Sequence, residues 1–207
     1  MRRETVLKII KLLRSDLNKG FTIHEMSKKL KIGYMPAHNH ITEMAEERII
    51  KSQKVGRANQ CFLNVENAKC RQLLAEADLL REEELFKGNQ KLKAVLEGLI
   101  AKLSETSISG IHSIVLFGSY AKGTATKSSD IDLLFVVSNI KDNMIRENIE
   151  RECAGYQYSH NMRISPLITD IAEFKRMLNT KNMNVGKEVR EYGLPLYGSE
   201  MFWRLMT

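Results

Sequence analysis

The 207-residue chain is predicted to be an α+β protein, with helices and a short hairpin first, then a connecting helix, and last a small mixed sheet flanked by helices. Three observations carry this. Apolar residues recur at three- and four-residue spacing through the first third. A charged segment without Gly or Pro fills residues 67–87. Beyond it, two apolar runs at 114–117 and 131–135 bracket a stretch of small residues.

Composition narrows the classes. At 43% hydrophobic and 28% charged, with only 12 Gly and 3 Pro, collagen-like, low-complexity and wholly disordered readings are excluded. No apolar run approaches the roughly 18–20 residues of a membrane span. The first residues run straight into an amphipathic pattern, without a signal-peptide core. Cys61, Cys70 and Cys153 are odd in number and lack metal-ligand spacing, so a reducing, cytoplasmic setting is expected. The net charge is +7, and residues 1–66 hold most of it, with 13 Lys and Arg against 7 Asp and Glu. Such a surplus fits a module that meets a polyanion, or a solvated lysine-rich surface.

Val6, Ile10, Leu13 and Leu17 form one helical face, which Asn18, Lys19 and Gly20 are expected to end. Thr22 with Glu25 reads as a capping box. It opens a second helix that buries Ile23, Met26 and Leu30 and stops before Gly33. Pro36 suits the first turn of a third helix, whose inward stripe is Ala37, Ile41 and Met44. Residues 49–53 and 61–63 read as strands around a turn at 55–59.

This order resembles a winged helix-turn-helix over residues 3–65, and sets a first domain at 1–66. The resemblance implies that the third helix enters the major groove of duplex DNA while the hairpin contacts its backbone. It would point Met35, Asn39 and Thr42 outward, with His38 on the flank. Asn39 would read adenine edges, and Lys51, Lys54 and Arg57 would meet phosphates. Glu43, Glu46 and Glu47 on the same helix fit a protein-docking module instead. His38 and His40 diverge by roughly 200° on a helix, which argues against a metal site.

Residues 67–89 read as a connecting helix and linker, with a homodimer seam through 67–87 as one use of it. The boundary falls at Lys87, Gly88 and Asn89, and a last domain spans 90–207. It opens on a helical stripe of Leu92, Val95, Leu99 and Leu103.

The chemistry lies at 111–135. The strand at 114–117 runs into Gly118, Ser119, Ala121, Gly123, Ala125, Ser128 and Ser129, a loop of small residues where backbone can approach a phosphate. Asp130 and Asp132 follow at the start of the second strand, and side chains two apart share a face. Two carboxylates about 6–7 Å apart repel one another unless a cation joins them. Mg²⁺ takes such hard oxygen donors.

Gly118 and Ser119, then ten residues, then Asp130, Ile131 and Asp132 resemble the signature of the polymerase-beta-type nucleotidyltransferase superfamily. The small minimal nucleotidyltransferases and the kanamycin-type enzymes are the branches it most resembles, and the likeness covers roughly 90–207. Residues 189–198 also resemble the helix and short strand that close those domains. The resemblance implies that Gly118 and Ser119 bind the triphosphate of an NTP substrate. It implies that Asp130 and Asp132 are catalytic and hold Mg²⁺, in a two-metal arrangement. Lys122 and Lys127 stand where they add positive charge near the phosphates, or are simply exposed loop lysines.

The family also supplies a third carboxylate from a later strand. Here the corresponding position falls near Ser165, with no Asp or Glu in 162–168. Asp170 lies about 16 Å further along and on the opposite face, and with Glu173 it reads better as a helix start. Glu188 and Glu191 stay open as substitutes, whereas His112 and His160 read as structural or surface residues. Two functions follow. One is transfer of a nucleoside monophosphate to an acceptor, with a toxin-like protein partner implied by the antitoxin-like branch. The other is a nucleotide-sensing DNA-binding regulator with a weakened transferase site.

Overall fold

The computed structural model describes residues 3–15, 17, 19–106 and 108–206. The chain divides into two compact units, Met1–Ala77 and Asp78–Met206.

In the first unit α1 (Arg3–Arg14) buries Val6, Leu7, Ile9, Ile10 and Leu13. It ends earlier than the apolar spacing suggested. Ser15 turns back on Leu12, donating to its carbonyl from both backbone (3.2 Å) and hydroxyl (2.7 Å), and Leu17 lies beyond the helix. Asn18, expected at that end, lies outside the described residues. The capping box forms as expected, with the Glu25 amide donating to Thr22 Oγ1 and the Thr22 amide to Glu25 Oε2. It starts α2 (Ile23–Leu30), where Met26 is buried but Ile23 and Leu30 are only half-buried. α3 (Tyr34–Glu46) turns Ala37, Ile41 and Met44 inward.

The hairpin is longer than its sequence suggested. β1 (Ile50–Val55) and β2 (Ala58–Leu63) pair antiparallel through Val55 and Ala58, leaving a two-residue turn of Gly56 and Arg57. Gly56 has φ +61, which a primed two-residue turn demands of its first residue. Phe21 adds a bridge to Cys61, each amide donating to the other's carbonyl. α4 (Ala68–Lys87) then runs unbroken, as expected, and the division between the units falls inside it.

The second unit continues with α5 (Gln90–Thr106), β3 (Ile111–Phe117), α6 (Gly118–Lys122), β4 (Ile131–Val137) and α7 (Asn143–His160). β5 (Ile164–Asp170), α8 (Ile171–Asn179), α9 (Val185–Tyr192), β6 (Leu194–Tyr197) and α10 (Ser199–Leu205) complete it. The sheet order is β5-β4-β3-β6. β4 runs parallel to β5, and β3 is antiparallel to both its neighbours, so the sheet is mixed.

Both β3 and β4 are buried at every position but the second. Alternation sends Ile131, Leu133, Phe135 and Val137 into one core with Leu92 and Leu99 of α5 and Ile149 and Cys153 of α7. Asp132, Leu134 and Val136 face the other side, where α8 packs on β4 and α9 and α10 pack on β3. Among the described residues no helix is long and apolar enough to cross a membrane.

Candidate functional site

Phe117 at the end of β3 pairs with Asp132 of β4, so Gly118 arrives beside the Asp132 carboxylate. Gly118 has φ +68, and a Cβ there would stand 2.0 Å from Asp132 Oδ2. Glycine alone meets both demands. From it the chain winds directly into α6 instead of the open loop the small residues suggested, because the left-handed turn at Gly118 redirects the strand at once. The Ser119 carbonyl accepts from the Thr124 amide at 2.9 Å. The Ser119 hydroxyl has no partner among the described residues and is free to donate. Thr126 and Ser129 cross-bond, amide to hydroxyl at 2.9 Å and amide to carbonyl at 3.1 Å, and this small turn delivers Asp130 to the mouth of β4.

Asp130 and Asp132 are both half-buried. Burial, then the charges of Asp130 and Glu188, hold the Asp132 carboxyl above its ordinary range, with Lys122 opposing them. Arg163 Nε stands 3.6 Å from Asp130 Oδ2. Glu188 comes from α9, which packs against α6. Its Oε1 lies 2.6 Å from Lys122 Nζ, and the lysine also sits 5.4 Å from the centre of the Tyr192 ring.

The parallel register places Ser165 opposite Asp132, where the lacking carboxylate was expected. Asp170 pairs with Val137 at the far end of β5 and caps α8, accepting from the Glu173 amide at 2.8 Å. It is removed from the site. Among the described residues, no three His, Cys, Asp or Glu are grouped to hold an ion unaided. The donors nevertheless fit Mg²⁺. They are hard oxygens, the Asp132 carboxyl is raised by burial and then by the negative charges of Asp130 and Glu188, and Gly118 leaves that carboxylate room.

A cleft of about 830 Å³ opens on the Asp130 side, with Tyr120, Lys127, Ser129, Asp130, Met162 and Arg163 in its walls. Its volume lies in the range of small-molecule pockets, but of the four residues Gly118, Ser119, Asp130 and Asp132 it is lined by Asp130 alone. Lys127 and Arg163 give that cleft positive charge beside Asp130.

Arg81 of α4 has no counterpart in the sequence reading. Its guanidinium donates to the carbonyls of Ala121 (2.6 Å), Tyr192 (2.8 Å) and Gly193 (3.1 Å). It thereby ties the end of α6 to the end of α9. Arg81→Met is expected to lower stability in a urea titration of the full chain by about 1–3 kcal/mol, as charged hydrogen bonds to two part-buried carbonyls and one exposed one are lost. Arg81→Lys should recover only part of this, because an ammonium lacks the planar fork.

In the first unit, Asn39 and Thr42 are exposed on α3, and His38 is half-buried with its ring 6.1 Å from that of Tyr34. Met35 is exposed, as are Lys54 and Arg57 on the hairpin. Lys51, expected to meet phosphate, is paired with Glu66 at 2.7 Å. Glu47 is paired with Lys69 at 2.5 Å.

A family profile described as nucleotidyltransferase domain matches residues 96–190. A putative protein adenylyltransferase of Methanocaldococcus jannaschii is 30% identical over 117 residues, which is 55% of this chain and 76% of that protein. A second putative protein adenylyltransferase from the same organism is 30% identical over 84 residues, 41% of this chain and 77% of its own length. The protein adenylyltransferase MntA of Shewanella oneidensis is 36% identical over 59 residues, covering 28% of this chain and 42% of that one. No solved structure matches the chain with significance.

Proposed function

Because the chain belongs to the family of nucleotidyltransferase-domain proteins, we propose that it transfers a nucleoside monophosphate from an NTP to a hydroxyl group of another protein. The observation that carries this reading is the packing of Gly118 against Asp132, which sets the free Ser119 hydroxyl and the two carboxylates at the end of the same strand pair. The names of the relatives support a protein acceptor and AMP as the transferred group.

Ser119 donates to the triphosphate at the start of α6, and Lys127 and Arg163, on the Asp130 side, neutralise part of its charge. Asp130 and Asp132 hold Mg²⁺, which when bound supplies positive charge to the phosphoryl oxygens. The acceptor oxygen bonds to the α-phosphorus, the bond to the bridging oxygen breaks, and pyrophosphate leaves. The acceptor's proton passes to a carboxylate or to water. Incubating the full chain with each NTP, Mg²⁺ and cell lysate, then identifying modified proteins by mass spectrometry, tests the assignment. An added nucleoside monophosphate on a side-chain hydroxyl is expected. Modified RNA ends with no modified protein would overturn the protein acceptor.

A second reading, a nucleotide-sensing DNA-binding regulator, is favoured by Ser165 at the third-carboxylate position and by the exposed faces of α3 and the hairpin. We propose that residues 1–66 form a winged helix-turn-helix on duplex DNA. Asn39 and Thr42 would face bases, His38 would flank them, and Lys54 and Arg57 would face phosphates. DNA affinity of the full chain should then fall with salt by about −0.9 in log–log slope per phosphate contact. Charge reversal at Lys54 and Arg57 should flatten that slope on every sequence. Asn39→Ala should cost roughly 1–3 kcal/mol on the preferred sequence alone. No salt-dependent affinity at low ionic strength would make this unit a protein-docking module.

A further inference from the structure

We propose that Glu188 supplies the third carboxylate of the divalent-ion site, and that Lys122 holds it in reserve until a triphosphate draws the lysine away. The inference rests on the nucleotidyltransferase reading and adds a residue to its site. Three observations converge on it.

First, β5 offers no acid where one is needed: the residue in register with Asp132 is the exposed Ser165, and Asp170 is spent on capping α8. Second, Glu188 approaches the same carboxylate from another element. α9 lies on the Asp132 face of the sheet, against α6, and Glu188 is near enough for its charge to act on Asp132. Third, the cation that holds Glu188 belongs to the phosphate-binding turn itself. Lys122 is the last residue of α6, which Gly118 and Ser119 begin, and its ammonium is 2.6 Å from Glu188.

Half-exposed ion pairs of this kind contribute little to stability and exchange partners readily. A triphosphate arriving at Ser119 offers Lys122 a stronger anion three residues away. Glu188, once released, completes the acid set with Asp130 and Asp132.

Arg81 gives the device a rigid frame. By bonding the carbonyls of Ala121, Tyr192 and Gly193 it fixes the ends of the two helices that carry Lys122 and Glu188. Their side chains can then rearrange while the backbones stay in place.

Mn²⁺ binding to the full chain, followed by electron paramagnetic resonance without substrate and with a non-hydrolysable ATP analogue, tests the proposal. Glu188→Gln should weaken Mn²⁺ in the presence of the analogue by about tenfold or more, comparable to the loss when a supporting ligand of a metal site is removed. Lys122→Met should act in the opposite direction, strengthening Mn²⁺ without nucleotide because the competing cation is gone. Unchanged Mn²⁺ affinity in Glu188→Gln, while Asp130→Asn weakens it, would overturn the role of Glu188 and leave the transferase site standing. Unchanged affinity in Asp130→Asn, Asp132→Asn and Glu188→Gln together would overturn the site itself. Should Glu188→Gln fail to fold, Lys122→Met decides: no gain in Mn²⁺ affinity contradicts the reserve role.

Discussion

Asp132→Asn is expected to abolish nucleotide transfer, by about a thousandfold or more, while leaving the fold intact and the apo protein slightly more stable. The size follows from losing several kcal/mol of charge stabilisation at the transferring phosphoryl group, at about 1.4 kcal/mol per factor of ten. The sign on stability follows from the raised Asp132 carboxyl. Burial and the charges of Asp130 and Glu188 favour its protonated form in the folded chain. The folded state therefore binds more protons than the unfolded state just above the ordinary carboxylate range, and stability falls as pH rises through that window. A neutral amide removes that cost. Thermal melts of both proteins across the window, without metal, should show the wild type losing ground as pH rises and Asp132→Asn losing less. Identical melting curves would show that Asp132 does not carry the strain assigned to it.

Gly118→Ala should be nearly as damaging to activity, for a steric reason. The new Cβ would enter at 2.0 Å from Asp132 Oδ2, on a backbone at φ +68 that side chains rarely adopt. The left-handed conformation alone costs about 1–2 kcal/mol. The clash must then be relieved by moving the carboxylate that the site depends on. Gly118→Val adds a branched side chain and should be worse on both counts. Ser119→Ala loses only one hydrogen bond to a charged group, about 1.5–3 kcal/mol, and should raise KM more than it lowers stability. Calorimetry of Mg²⁺-nucleotide binding and urea titration of the three variants check the ordering. Equal and small effects from Gly118→Ala and Ser119→Ala would reduce the segment to an ordinary turn.

How far the sequence reached depends on distance along the chain. Gly118, Ser119, Asp130 and Asp132 lie within fifteen residues of each other, so their chemistry could be read as one local pattern. The helix stripes of Ala37, Ile41 and Met44 and of Leu92, Val95, Leu99 and Leu103 were local in the same way, and the structure buries each of them. Even the vacancy in the acid set was visible, since Ser165 pairs with Asp132 where a carboxylate was expected. The misses are long-range or steric. Nothing near Arg81 says that its guanidinium will meet carbonyls 40 and 111 residues away. Glu188 and Lys122 meet only because α9 packs on α6, which no periodicity encodes. The early end of α1 and the winding of residues 118–122 into a helix depend on one hydroxyl and one left-handed glycine, both too local for an apolar pattern to register.

Position-specific labelling of the nucleotide decides between nucleotidyl transfer and other chemistry at this site. The full chain is incubated with Mg²⁺, cell lysate and ATP labelled at either the α- or the γ-phosphate, beside Asp130→Asn as control. Protein-bound label from the α position, none from the γ position, and none from either in Asp130→Asn is the expected result. Label retained from the γ position, or α-label that survives in Asp130→Asn, would contradict nucleotidyl transfer at Asp130 and Asp132.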